Sequence, residues 1–236
     1  MALTDEAIAK IRTLIQSGEL SPGSRLPPEQ QLAGQLGLSR SSMREAVKAL
    51  VLARVLDVRR GDGTYVTSLA PQLLLQGLGF AVDLLQDDTL MEVIEVRRML
   101  EPIATGVAAT RMTAEQLAEV ESHLDAMRQA GTDIERLVHE DMSFHRAVIA
   151  ATGNATLTSV LDGLSSRTLR ARVWRGLVEG NASASTLLEH EAIFRALQAG
   201  DSPVAQAAAL LHVTTSENWL RTALGDRNRQ IDTSDV

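Results

Sequence analysis

The fold class predicted by the sequence is mostly α: a small N-terminal helical unit closed by a β-hairpin, then an all-α bundle of six to seven helices. Three observations carry that prediction. Residues 32 to 50, LAGQLGLSRSSMREAVKAL, read as two short amphipathic helices meeting at Gly37. Gly61-Asp62-Gly63 joins two short β-prone runs directly afterwards. From about residue 72 onward, apolar residues recur three and four apart, and breakers at Gly131, Gly153, Gly180 and Gly200 separate several of the periodic segments.

Taken in order, residues 3 to 17 form a first helix with Ile8, Ile11, Leu14 and Ile15 on one face. Gly18 and Ser21-Pro22-Gly23 end it, and Pro27-Pro28 sets the start of a second helix reaching Leu36. Gly37 suits a left-handed cap, and Ser39 can cap a third helix running to about Ala53. Met43, Ala46, Val47 and Leu50 form the apolar stripe of this third helix. Its opposite face carries Arg40, Ser41, Ser42 and Arg44 in the first turn, two guanidinium groups and two small hydroxyls. That set suits entry into a DNA major groove, since Arg reaches guanine edges and Ser reaches phosphates or bases without blocking approach. Val55 to Arg60 and Thr64 to Thr67 read as strands, with Arg59 and Arg60 beside the hairpin tip. The pattern is a winged helix-turn-helix over residues 1–67. A linker over 68–75 contains Pro71; residues 76–225 form the helical domain, and the polar residues 226–236 a frayed tail. Helices in that domain are expected at about 72–85, 89–109, 113–130, 133–152, 155–178, 184–199 and 202–224.

With 236 residues the chain can build two cores, and aromatics at 3% favour helix packing by Leu, Ala and Val. No cysteine is present, so neither disulfides nor thiolate ligands enter. Acids near the N-terminus stand where a signal peptide is basic, and no apolar run reaches membrane-spanning length, so a soluble, cytoplasmic protein is expected. The net charge of −7 divides unevenly. Nine Lys or Arg against seven acids leave residues 1–67 at +2, while the remaining fourteen basic and twenty-three acidic residues give −9. A basic head on an acidic body fits a nucleic-acid module joined to something else.

The run SGELSPGSRLPPEQQLAGQLGLSRSSMREAVKAL, with VRRGDGTYV after it, resembles the N-terminal domain of the GntR family of bacterial transcription regulators. The resemblance implies that Arg40 and Arg44 read bases or phosphates, that Ser39, Ser41 and Ser42 hold the DNA backbone, and that Arg60 and Gly61 enter the minor groove. Two positions depart from the family pattern. Gln30 replaces a usual DNA-contacting Arg, with a helix cap lost at Pro28, and Arg54 replaces the usual Gly after the recognition helix.

In the second domain the polar residues on apolar faces are informative. Asp141 and His145, at i and i+4, share a stripe with Val138 and Val148. His190 lies in line with Leu187, Phe194 and Leu197, and His212 with Ala205, Ala208, Thr215 and Trp219. An inward carboxylate is costly unless paired or metal-bound. One lone His per helix is most simply a satisfied core residue, but three His and one Asp facing inward are more economically the ligands of one divalent ion. The stretches DMSFH and EHEAIFRALQAGD, with the closing His212, also resemble the C-terminal domain of the FadR subgroup, whose ligands match Asp141, His145, His190 and His212. Zn²⁺ suits that donor set best, with Ni²⁺, Mn²⁺ and Fe²⁺ as alternatives. Arg97 shares a stripe with Val93, Leu100, Ala104 and Val107, so it points inward. One reading is a buried ion pair with Asp141 or Glu101; the other is a fork for an anionic ligand. The resemblance favours the second, because an Arg in this EVRR context lies at the effector pocket. Asn154, Arg170 and Arg172 are weaker effector-binding candidates.

The function expected is therefore a DNA-binding transcription regulator and not an enzyme. A small carboxylate effector bound at the divalent metal would control its operator affinity. Partners are double-stranded DNA carrying a palindromic operator and a second copy in a homodimer, since a head of only +2 binds weakly alone; no membrane is involved. The rivals are a metal-dependent hydrolase using the Asp/His3 site and a metal-free regulator binding a larger ligand such as acyl-CoA.

Overall fold

The computed structural model describes residues 3–84, 89–165 and 182–234. It divides into two compact units, Met1–Gly77 and Leu78–Val236. The first unit contains α1 (Leu3–Gln16), α2 (Glu29–Leu36), α3 (Arg40–Leu52), an antiparallel hairpin of β1 (Leu56–Arg59) and β2 (Gly63–Val66), and a single helical turn, α4 (Pro71–Leu74), inside the stretch read as a linker. Its core is one cluster, with Ala7, Ile11, Leu32, Met43, Ala46, Leu56 and Val66 nearly inaccessible to water. The apolar stripes of α1, α2 and α3 supply most of it, so the 3.6-residue period is satisfied by burial.

Local chemistry sets the corners of this unit. Gly37 adopts φ +65°, and the Leu38 N–H reaches back to the Ala33 carbonyl, closing α2 in a left-handed cap. Pro28 precedes α2 and offers no side-chain cap. Ser39 caps α3, its hydroxyl accepting the Ser42 N–H at 3.1 Å. Arg54, where the family favours Gly, keeps the left-handed conformation at φ +60°, and the Val55 N–H closes on the Leu50 carbonyl. The exit from α3 is thus retained at the steric cost of a side chain in the left-handed region.

The second unit is helical wherever it is described. Beyond α5 (Gln76–Asp83), which crosses the boundary between the units, come α6 (Leu90–Ala109), α7 (Ala114–Ala130), α8 (Ile134–Ala150), α9 (residues 155–165), α10 (Ala182–Gln198) and α11 (Ser202–Ser234). Side-chain caps fix several starts. Thr113 and Gln116 form a reciprocal capping box, Asp133 accepts the Arg136 N–H, Asn154 accepts the Leu157 N–H, and Asp201 accepts the Val204 N–H. Helical backbone passes through Pro102 in α6 and continues to Ser234 in α11, beyond the start of the expected frayed tail. Gly225 alone does not stop α11, because a helical Gly costs only about 1 kcal/mol. Val120, Leu124, Met127, Phe144, Ile193 and Ala205 anchor the main core, drawn from α7, α8, α10 and α11.

Candidate DNA-reading face and candidate metal centre

The start of α3 presents Arg40, Ser41 and Arg44 as exposed side chains, with Gln30 exposed on α2. Arg44 Nε lies 3.9 Å from Glu29 Oε2, a solvated ion pair. At the hairpin tip Arg60 and Gly61 are exposed, and Gly61 has φ +79°, a conformation that a side chain resists. Two of the three serines have local duties. Ser39 is the helix cap, and Ser42 is buried with its hydroxyl 2.8 Å from Ser39 Oγ. Ser42 therefore lies at the edge between the exposed first turn and the core, less open to solvent than Arg40, Ser41 and Arg44. It falls on the Met43–Ala46–Leu50 side of the helix, which the core claims.

In the second unit the chain brings Asp141, His145, His190 and His212 together from α8, α10 and α11, with one ligand atom from each within 4.8 Å of the others. None is more than 9% exposed. His145 Nε2 is 3.2 Å from both His190 Nε2 and His212 Nε2, and Asp141 Oδ1 is 3.0 Å from His190 Nε2 and 3.7 Å from His145 Nε2. Phe144 packs edge-on against His145 and His190 and forms an apolar wall.

The opposite ring nitrogens show what these donors are prepared for. His190 Nδ1 lies 2.7 Å from the Thr186 carbonyl, and His212 Nδ1 lies 2.8 Å from Glu189 Oε2. Both partners are acceptors, so the N–H sits on Nδ1 and the Nε2 lone pair faces the cluster. Burial pushes the His212 imidazole below its ordinary pKa, helped by neighbouring His190 and opposed by Glu189, so the neutral form is favoured. Converging lone pairs and a buried carboxylate repel one another unless a cation joins them. Separations of 3.0–3.7 Å are those of donors sharing one small ion at about 2.0–2.2 Å. The residues present fit a divalent metal, and the partners on the far ring nitrogens are of the kind that orient metal-binding His.

Arg97 is buried on α6 and directs its fork at Glu101, also buried, with Nη2 3.1 Å from Oε2 and Nε bonded to Oε1. Glu101 Oε2 lies 3.9 Å from His145 Nδ1, which places the pair beside the histidine cluster. Asn154 is exposed and caps α9, so its carboxamide oxygen is engaged by backbone; it also lines a cavity of about 280 Å³ with Leu100, Ile103, Arg111 and Thr152. Arg170 and Arg172 lie outside the described residues. Glu189 and Thr186 were absent from the sequence reading. Glu189 directly precedes His190 yet serves His212 on the next helix, a pairing that no spacing within one helix displays.

Fold and site together define a transcription regulator: a winged helix-turn-helix for duplex DNA, followed by an all-helical domain with a buried Asp/His cluster. The bacterial regulatory protein gntR family matches residues 3–66, and the FCD domain matches residues 92–215. The HTH-type transcriptional regulator LutR of Bacillus subtilis is 32% identical over 213 residues, spanning 88% of this chain and 96% of its own length. The galactonate operon transcriptional repressor of Escherichia coli is 32% identical over 228 residues, spanning 92% and 96%. Among solved structures, Streptococcus agalactiae GntR superposes with a TM-score of 0.67 at 27% identity, over 91% of this chain and 99% of that one. The chain belongs to the GntR family, with a C-terminal FCD domain. Family and relatives are transcription regulators, which removes the hydrolase alternative. Among the described residues no helix is long and apolar enough to cross a membrane.

Proposed function

We propose that this regulator binds a palindromic operator as a homodimer, and that a small carboxylate held at a divalent metal controls its affinity for DNA. The observation that carries the reading is the set of three Nε2 atoms and one carboxylate oxygen converging inside a helical bundle. Asp141, His145, His190 and His212 would hold the ion, with Zn²⁺ best suited to the donors. When bound, the ion supplies Lewis acidity and coordination positions beyond the four protein donors. Arg97 would grip the effector's anionic end, a role for which a planar fork is suited. Glu101 occupies that fork now, so an effector carboxylate must displace or share it, and α6 would register the exchange. The galactonate regulator, named for an operon of a small hydroxy acid, supports a carboxylate over the larger acyl-CoA. On the DNA side Arg40, Arg44 and Ser41 would read the major groove, with Arg60 and Gly61 in the minor groove.

One experiment tests the whole reading. Duplexes are selected from a random pool by the purified chain, and their binding is measured with and without chelator while small carboxylates are titrated. A two-fold symmetric site, and a carboxylate response that disappears on chelation and returns with Zn²⁺, is the expected result. An unchanged response after metal removal would sink the metal part.

A further inference from the structure

The hairpin of β1 and β2 offers only four residues per strand, and two such strands are marginal in water by themselves. The chain supports it with the segment before α2. Gly23 N–H donates to the Val66 carbonyl, Leu26 N–H to the Thr64 carbonyl, and Val66 N–H to the Ser24 carbonyl, all at 2.8–2.9 Å. Arg25 forms an antiparallel bridge with Tyr65, so residues 23–26 act as a third strand along β2. The Arg25 side chain then runs over the tip: its Nη2 donates to the Asp62 carbonyl, and Nη1 lies 3.9 Å from Asp62 Oδ1. Asp62 is held from the other direction by the Tyr65 hydroxyl, which donates to Oδ2 at 2.8 Å, while Arg59 stacks 4.1 Å over the Tyr65 ring.

Gly63 makes this arrangement possible. A Cβ there would stand 2.6 Å from Arg25 Nε and 3.2 Å from its Cζ, closer than non-bonded atoms approach. Gly63 lies in a strand without positive φ, so its backbone alone does not require glycine. The space above it is needed by the guanidinium.

We propose that Arg25 is a positioning residue for DNA binding, its guanidinium clamping the Asp62–Gly63 turn so that Arg60 and Gly61 are presented in one fixed arrangement. The proposal rests on the reading that Arg60 and Gly61 reach DNA. The gain is pre-organisation: a tip ordered before binding loses less freedom on the duplex. Arg25 is itself exposed, so the competing role is a direct phosphate contact.

The test uses the full chain and the selected duplex. Arg25→Ala weakens binding about three- to tenfold, with the slope of log K against log salt unchanged. A phosphate contact would instead lower that slope by about one, and such a decrease overturns the clamp. Gly63→Ala alters no charge and weakens binding to the same extent, whereas in the Arg25→Ala background it adds nothing; additive losses overturn the proposal. In the free protein, amide exchange accelerates at residues 61–64 in both single variants and stays at the parent rate in α1 and α3. Acceleration throughout the unit would show a general structural role and overturn the clamp. Arg60→Ala separates the two layers. If it binds like the parent, the wing reading fails and the clamp with it. If it weakens binding while both Arg25→Ala and Gly63→Ala bind normally, the clamp alone fails.

Discussion

In Met1–Gly77 the residues proposed to read DNA lie between Gln30 and Gly61, mostly exposed on two helices and a turn; in Leu78–Val236 the proposed metal donors span Asp141 to His212, buried on three helices. The first site is assembled by local structure. One helix start and one tight turn place its charged groups, water solvates them, and their removal leaves the core intact. The second exists only when α8, α10 and α11 are packed, and each donor is desolvated when it gets there. Function in the first unit can therefore be altered with little cost in stability. In the second, folding and the proposed sensing use the same side chains.

Arg97→Ala should produce the largest effect, because it leaves the Glu101 carboxylate buried without its guanidinium. A cost of about 3–5 kcal/mol is expected for breaking a buried pair, read as a lower urea midpoint for the helical unit, with Glu101→Gln in the same background recovering part of it. If the midpoint does not move, Glu101 holds no buried charge and the contrast between the units weakens. Glu189→Gln, which removes the charge behind His212 while leaving the four donors in place, should lower metal affinity by about 10- to 100-fold. Competition with a fluorescent chelator measures it, and parent-like affinity would separate Glu189 from the site. Arg40→Ala in the other unit should cost about 1–3 kcal/mol of operator binding if it reads a base, yet shift stability by no more than about 0.5 kcal/mol. A stability loss as large as the binding loss would erase the proposed difference between the units. The smallest effect concerns Arg54→Gly. Relief of the left-handed strain, offset by the freer unfolded glycine, should raise the stability of the N-terminal unit by up to about 1 kcal/mol. A lower thermal midpoint would mean that the Arg54 side chain makes contacts worth more than the strain.

Much of this was legible beforehand, for reasons that differ by residue. Ile11, Met43, Ala46 and Leu50 announced their burial through helical spacing, and Gly37 and Ser39 marked the turn between the two helices. Asp141 and His145 were paired by their own helix, since i and i+4 share a face. The burial of Ser42 was not legible, because the first turn of a helix has a core side as well as a free side, and a small hydroxyl fits either. Arg97 pointed inward as its stripe implied, but the sequence left two partners open, and the fold brings Glu101 on the next turn onto its fork.

By itself the sequence determined the order of elements, the two-unit plan, the exposed arginines of the first unit and which polar residues had to be buried, because helical periodicity and turn chemistry act over a few residues. Only the packed fold decided that His190 and His212 meet His145, that Glu189 backs His212 from the neighbouring helix, and that Arg25 reaches across to the wing turn. Those contacts join residues far apart in the chain, whose separation is fixed by how helices and strands stack, and no local pattern encodes that distance.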